Sequence, residues 1–265
     1  MGFETVDTVE FKKHIENHPN DTKLLAEGDS WFAYPRRFYF FGKDANIIDH
    51  LADKPGLAIL NTSRNGDEAA DMMSGDQKLS LLKRLKHMDF DAMLFSGGGN
   101  DLVGRYDFGF LINEKKGSMD WKACINKDHL DIKIQQLELF YMEMMERILD
   151  LKPKFKVITH TYDLALPSKE GFELFDIIPM GKSWMYPYME NKKIHDYNDQ
   201  KKIIHSILKR FKRSLNKVGK KYKDNLIVVD THGCVAEDEW RNEIHPTPAG
   251  FDKVANKIYK AIQAL

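Results

Sequence analysis

Two polar residues near opposite ends of this sequence have the types that nucleophilic catalysis needs. Gly28-Asp29-Ser30 places a serine beside a glycine at the end of an apolar run, and His245 stands in the segment Asn242-Glu243-Ile244-His245-Pro246. A serine hydroxyl is a weak nucleophile until a base such as histidine takes its proton. Ser30 and His245 are therefore a candidate nucleophile and general base.

Two further segments carry donors for a developing oxyanion. Gly66 ends the polar stretch 61–66, and Asn100 follows the glycine run Gly97-Gly98-Gly99. In acyl transfer, each fixed donor aimed at the oxyanion contributes ~3 to 4 kcal/mol. A glycine lets its backbone N–H come close to a substrate, and a side-chain amide donates without carrying charge. The backbone N–H groups of Ser30 and Gly66, with the amide of Asn100, form a candidate oxyanion hole.

Short apolar runs that alternate with helical patterns must position these segments. The runs predict five parallel strands, at Leu24–Ala26, Leu57–Leu60, Ala92–Phe95, Phe155–Thr159 and Leu226–Val229. Thr247 followed by Pro248 predicts the start of the last helix. The alternation predicts an α/β fold, a three-layer α/β/α sandwich with a five-stranded parallel sheet. Ligands of such sheets bind beyond the carboxyl ends of the strands, where we expect the polar segments to meet.

Taken in order along the chain, these segments resemble the sequence blocks of the SGNH (GDSL-type) hydrolase family. Gly28-Asp29-Ser30 resembles its first block, with Trp31 where that family often has leucine, and Gly98-Gly99-Asn100-Asp101 resembles its GxND block. The resemblance implies the flavodoxin-like SGNH hydrolase fold and a serine hydrolase of the esterase, lipase or thioesterase type. It implies a nucleophile, two oxyanion donors and a general base at Ser30, Gly66, Asn100 and His245, respectively.

One position departs from that family's pattern. The family usually has an aspartate three residues before the histidine, which holds the imidazole and stabilises the imidazolium, but this position is Asn242. An amide oxygen can orient the histidine yet supplies no countercharge, and Glu243, Asp238 or a backbone carbonyl are alternative partners. We predict a working Ser-His site that the missing carboxylate slows. An ordinary histidine pKa near ~6.5 predicts a rate that rises between pH 5 and 8.

Composition limits the kinds of partner. Lys and Arg together number 40, as do Asp and Glu, so the formal net charge is zero, which argues against nucleic acid or an anionic membrane as a partner. The basic cluster at 209–223 lies along an amphipathic pattern and predicts a solvated helix face, with a patch for an anionic partner as the alternative. We predict a small-molecule ester as substrate, with no cofactor and no metal. The sequence gives no indication of the oligomeric state.

Length and segment composition predict the domain organisation. The chain has 265 residues and no linker-like stretch, which predicts one domain over 1–265 with inserted loops around 105–125 and 165–195. No secretory signal or run of ~20 apolar residues is present, so we predict a cytoplasmic protein without a membrane span. Cys124 and Cys234 are too few for a disulfide framework and are predicted to be plain thiols.

Three features leave alternatives open. The aromatic stretch 38–41 and the stretch 179–189, which has too many prolines to predict a helix, either wall an apolar pocket or pack on the core. His160 is predicted to be structural, with the pocket border as the alternative. The glycine run at 97–99 is a weaker candidate for phosphate binding, because no GxxxxGK[ST] or GxGxxG motif accompanies it.

Two other functions remain alternatives to the esterase. A binding protein of the same fold whose catalytic site has decayed would account for Asn242. A carbohydrate O-acetyl esterase would use the same residues and release acetate.

Overall fold

One parallel sheet runs through the centre of the molecule. The computed structural model describes residues 1–34, 46–104, 107–169, 173–174, 178–179 and 183–265. Within these ranges, six strands lie in the order β1-β3-β2-β4-β5-β8, with every neighbouring pair parallel. Their bounds are β1 Phe3–Thr5, β2 Thr22–Gly28, β3 Leu57–Asn61, β4 Ala92–Ser96, β5 Lys156–His160 and β8 Leu226–Val229, and β6 (Glu173–Leu174) pairs antiparallel with β7 (Ile178–Pro179).

The predicted α/β sandwich is confirmed, and the predicted strand count is wrong by one. All five predicted strands are present. Strands β3 and β4 are buried at every position, and strands of this kind are recognisable in a sequence as continuous apolar runs. The sixth strand, β1, lies at the edge of the sheet against β3 and has Glu4 at its centre. An edge strand of three residues, of which only one is buried, leaves no apolar run to detect.

Helices cover both faces of the sheet. The helix bounds are α1 Thr8–Asn17, α2 Ser30–Ala33, α3 Ile47–Ala52, α4 Ala69–Met72, α5 Gly75–His87, α6 Gly99–Val103, α7 Lys127–Leu151, α8 Tyr186–Asn191, α9 Tyr197–Lys221 and α10 Pro248–Ile262. Helix α10 packs against α3, and α7 packs against both α5 and α9. The Thr247 hydroxyl accepts the Gly250 N–H, so the predicted cap of the last helix is confirmed.

The charged faces of α7 and α9 lie side by side. Four basic residues of the 209–223 cluster pair with acidic residues, in the pairs Arg210–Asp131, Lys212–Asp230, Lys217–Glu138 and Lys221–Glu146. These ion pairs engage charges that the anion-patch alternative would need free. Across the described ranges, no helix combines the length and the apolar character needed to cross a bilayer.

The second aromatic stretch contains a helix, contrary to the prediction. Helix α8 begins at Tyr186 with Pro187 in its first turn, where a proline has no intrahelical N–H bond to lose. Met185 and Met189 are fully buried in the core. The aromatic stretch 38–41 lies outside the described residues.

The glycine run after β4 is required by ring packing. A Cβ added at Gly98 would lie 2.6 Å from the Phe211 ring, and one at Gly99 would lie 2.7 Å from the Tyr162 ring. Aromatic rings leave no room for a side chain at Gly98 or Gly99, so packing accounts for these two glycines without a role in phosphate binding.

Strands β2 and β4 are in tight contact where both end. Gly28 pairs in register with Ser96, and a Cβ added at Gly28 would lie 2.8 Å from the Ser96 Cβ and 2.9 Å from the Ser96 carbonyl oxygen. Only glycine fits at this distance without a backbone shift. The turn that follows Gly28 therefore starts from a fixed position against β4.

We expect Gly28→Ala to lower the free energy of unfolding by ~1 to 3 kcal/mol, because overpacking a tight contact forces the backbone to move. Urea denaturation of the two proteins measures the difference. Equal denaturation midpoints and slopes would show that β2 and β4 can separate at no cost.

Candidate active site

Ser30 lies at the turn from β2 into α2. The backbone N–H of Asp29 donates to the Ser96 carbonyl at 3.0 Å, and the Asp29 carboxyl caps α2 by accepting the Trp31 N–H at 3.0 Å. Ser30 is the first residue of the helix, so its own N–H has no intrahelical partner. The strand end and the cap together fix where the serine points.

The structure brings Ser30 and His245 into hydrogen-bond contact. The His245 Nε2 lies 2.8 Å from the Ser30 Oγ, within the range expected of a nucleophile and its base. A second bond ties the same two segments, because the Trp31 indole N–H donates to the Ile244 carbonyl at 3.0 Å. Trp31 stands where the family that the sequence resembles often has leucine. Its side chain holds the loop 242–246, which carries His245 and is called the histidine loop below.

Asn242 fixes the tautomer of His245. Its Oδ1 accepts the backbone N–H groups of Ile244 at 3.2 Å and of His245 at 2.9 Å, and it lies 3.1 Å from the His245 Nδ1. Because two backbone donors hold the amide oxygen toward the ring, Nδ1 must carry the proton. The Nε2 lone pair then faces Ser30, as a general base requires.

Glu243 is engaged elsewhere and does not orient His245. Its fully buried carboxyl accepts the backbone N–H groups of three consecutive residues, Trp184, Met185 and Tyr186. Burial raises the pKa of Glu243 to about 7, against the effect of these donors. Glu243 therefore ties the segment before α8 to the histidine loop, whereas the alternative partner Asp238 is exposed.

Aromatic rings enclose His245 and change its predicted titration. The Tyr34 ring lies 4.3 Å from the imidazole, the Trp184 ring lies edge-on at 5.6 Å, and Arg241 stacks on Tyr34. Burial, with a smaller contribution from the Arg241 guanidinium, lowers the pKa of His245 to about 3. With that pKa the imidazole is neutral throughout pH 5 to 8, so the buried geometry predicts a rate that stays level there, in place of the rise predicted from an ordinary pKa.

Asn100 lies in the first turn of α6, and Gly66 lies on the loop after β3. The Asn100 amide donates one N–H to the Asp67 carbonyl at 2.8 Å and has a second N–H to offer. Asn100 and Ser30 line the same cavity, whose described walls do not include Gly66. Gly66 is exposed with φ +92°, on a loop tied to β2 by the Arg64 N–H, which donates to the Gly28 carbonyl at 2.8 Å.

A buried hydrogen-bond network holds Asp29, the residue that precedes the candidate nucleophile Ser30. The Tyr162 N–H donates to the His160 Nδ1 at 3.2 Å, so the His160 Nε2 donates to the Ser96 Oγ at 2.9 Å. The Ser96 hydroxyl donates to the Asp29 Oδ1 at 2.9 Å, and the Tyr162 hydroxyl donates to the Asp29 Oδ2 at 2.5 Å. Both oxygens of Asp29 are held as a result, and His160 has a structural role in this network and is not among the described walls of the cavity.

Burial sets the protonation of this network. It raises the pKa of Asp29 to about 6 and lowers the pKa of His160 to about 3. Neither Ser96 nor Tyr162 was predicted from the sequence to support the site; the available signal was their position at the end of β4 and just beyond the end of β5. Among the described residues, no group of three or more His, Cys, Asp or Glu side chains is arranged to hold a metal ion, and Cys124 and Cys234 are unpaired.

Comparison with known proteins gives one family and a consistent fold. The family model described as GDSL-like lipase/acylhydrolase matches residues 26–258. The lipase Lip_vut3 from a goat rumen metagenome is 14% identical with a TM-score of 0.56, over 90% of this chain and 96% of that one. The extracellular lipase of Streptomyces rimosus is 16% identical with a TM-score of 0.56, over 91% and 99%.

A third solved structure agrees with these two. A putative GDSL-like lipase from Parabacteroides merdae is 13% identical with a TM-score of 0.55, over 93% of this chain and 97% of that one. Identities this low establish a shared fold only. No curated protein sequence matches the chain.

We expect NMR titration to find the His245 imidazole neutral and protonated on Nδ1 down to about pH 4, because the enclosing rings remove it from solvent. In Asn242→Asp, a carboxylate beside the ring should raise the His245 pKa by at least ~1 unit. A His245→Gln variant identifies the resonance. A wild-type His245 that titrates near pH 6.5 would contradict the buried geometry.

Proposed function

We propose that this chain, which belongs to the GDSL-like lipase/acylhydrolase family, hydrolyses a carboxylic ester through a covalent acyl-enzyme on Ser30. The observation that carries the proposal is the 2.8 Å contact between the Ser30 Oγ and the His245 Nε2. Asn242 adds to it by holding the tautomer in which Nε2 accepts a proton.

The proposed reaction begins with attack of the Ser30 Oγ on the acyl carbon. The hydroxyl proton passes to the His245 Nε2 as the new C–O bond forms, and the carbonyl oxygen becomes an oxyanion. The second N–H of Asn100 and the backbone N–H groups of Ser30 and Gly66 are the proposed donors to it. The bond to the alcohol then breaks, and the alcohol oxygen takes the proton from His245.

Hydrolysis of the acyl-enzyme repeats these steps with water. A water molecule gives a proton to the His245 Nε2 and attacks the acyl carbon, and the second oxyanion uses the same donors. When the bond to the Ser30 Oγ breaks, the histidine returns the proton to that oxygen. The products are one carboxylic acid and one alcohol, and the enzyme is regenerated.

Asn242 supports a second candidate, a binding protein with a decayed catalytic site. In both transition states the imidazole carries a positive charge, and neither Asn242 nor the nearby Arg241 stabilises it. The proposed enzyme is therefore slow for its class. It keeps the correct tautomer, and in serine proteases the wrong tautomer accounts for most of the ~10⁴-fold loss caused by the equivalent substitution.

We expect Ser30→Ala and His245→Ala each to lower kcat for p-nitrophenyl esters by at least ~10³-fold, because they remove the nucleophile and its base. A fluorophosphonate probe should label wild-type protein at Ser30. The Ser30→Ala protein is the control for labelling elsewhere. Neither turnover nor labelling of the wild type would favour the binding protein.

We expect Asn242→Asp to raise kcat by ~10-fold, since one pKa unit of added imidazolium stabilisation corresponds to ~1.4 kcal/mol.

Wild-type kcat/KM should show no titration of His245 between pH 5 and 8, because a histidine with pKa about 3 is already neutral there. In Asn242→Asp the raised pKa should move a loss of activity upward from low pH. A lower kcat in the aspartate variant would show that the countercharge does not limit the rate.

A further inference from the structure

A small cavity lies directly beside Ser30. Its described walls include Ser30, Asn100 and four apolar residues, Val103 of α6, Ala165 of the loop after β5, Leu208 of α9 and Ile244 of the histidine loop. All four apolar residues are at least 95% buried. The cavity is thus a recess into the core that starts at the nucleophile.

The carboxyl groups that border this cavity are occupied by other partners. Asp29 accepts from the Trp31 N–H, the Ser96 hydroxyl and the Tyr162 hydroxyl. Asp163 accepts three backbone N–H groups, from Leu164, Gly233 and Val235. A group in the recess therefore meets apolar walls together with the Ser30 hydroxyl and the Asn100 amide, which suits a hydrocarbon group attached to a carbonyl.

The position of His245 distinguishes the two halves of an ester. The leaving oxygen must lie near the His245 Nε2, because that atom protonates it. The cavity borders Ser30 and Asn100, and His245 is not among its described walls. The cavity therefore lies on the acyl side of the scissile bond.

The size of the cavity limits the acyl group. The space open to the centre of a water-sized sphere is about 20 Å³, which is a region only about 3.4 Å across if it is compact. One or two non-hydrogen atoms beyond the carbonyl fill such a space.

We infer that the acyl site takes acetyl or propionyl groups, with Val103 and Leu208 setting the length limit. This inference rests on the proposed acyl-enzyme at Ser30. It assigns the enzyme to short-chain esters, a class that includes O-acetylated carbohydrates, and leaves the alcohol part to be selected on the His245 side.

The test is kcat/KM for p-nitrophenyl acetate, propionate, butyrate, hexanoate and octanoate, with Ser30→Ala as background. We expect the maximum at acetate or propionate and at least a 10-fold fall by hexanoate. Leu208→Ala and Val103→Ala should each raise the butyrate-to-acetate ratio at least 5-fold, and Ala165→Val should lower the propionate-to-acetate ratio.

Leu215→Ala is the matched control, because Leu215 is also buried on α9 but is not among the described walls of the cavity. Its ratios should equal those of the wild type. If Leu208→Ala does not fold, Val103→Ala and Ala165→Val test the same limit. A Ser30-dependent maximum at butyrate or longer, or unchanged ratios in the folded cavity variants, would overturn the inference alone. No Ser30-dependent turnover of any ester would overturn the proposed function itself.

Discussion

The close approach of β2 and β4 at Gly28 and Ser96 is the constraint on which the site depends. It brings the Ser96 carbonyl and hydroxyl within reach of Asp29, so that a single residue after the strand is bonded through both its backbone and its carboxyl. Asp29 in turn caps the short helix that begins at Ser30. The orientation of the serine therefore follows from backbone packing in the sheet, two residues before the nucleophile.

The histidine loop solves a different problem, which is to hold a base in a nearly dry environment. Asn242 and Glu243 are neighbours, and both are buried. An aspartate at 242 would add a second buried carboxyl to this loop, and burial raises the cost of ionising it. Asparagine orients the ring without that cost, while the carboxyl of Glu243 anchors the segment before α8. The loop thus lacks a carboxylate that would stabilise the imidazolium, but the buried side chains of Asn242 and Glu243 both have hydrogen-bond partners.

Much of this arrangement can be predicted from the sequence, and there are physical reasons why the rest cannot. Buried parallel strands produce apolar runs, and Ser30 and His245 stand at recognisable positions relative to them. The short edge strand β1 has no such run, and Pro187, which argues against a helix in the sequence, lies in the first turn of α8. Asp29 bonds to Ser96 and Tyr162, which lie 67 and 133 positions further along the chain, and no local sequence pattern predicts such contacts. The low pKa of His245 is likewise a property of the enclosing rings, which only the tertiary structure supplies.

The hydrogen bond from the Trp31 indole to the Ile244 carbonyl has a consequence for the entropy of catalysis. It joins the nucleophile turn to the histidine loop through groups that take no part in proton transfer. The two segments are therefore held in register before any substrate arrives, and their conformational freedom is lost when the chain folds. Binding free energy that would otherwise be needed to order these two segments therefore remains available for the reaction.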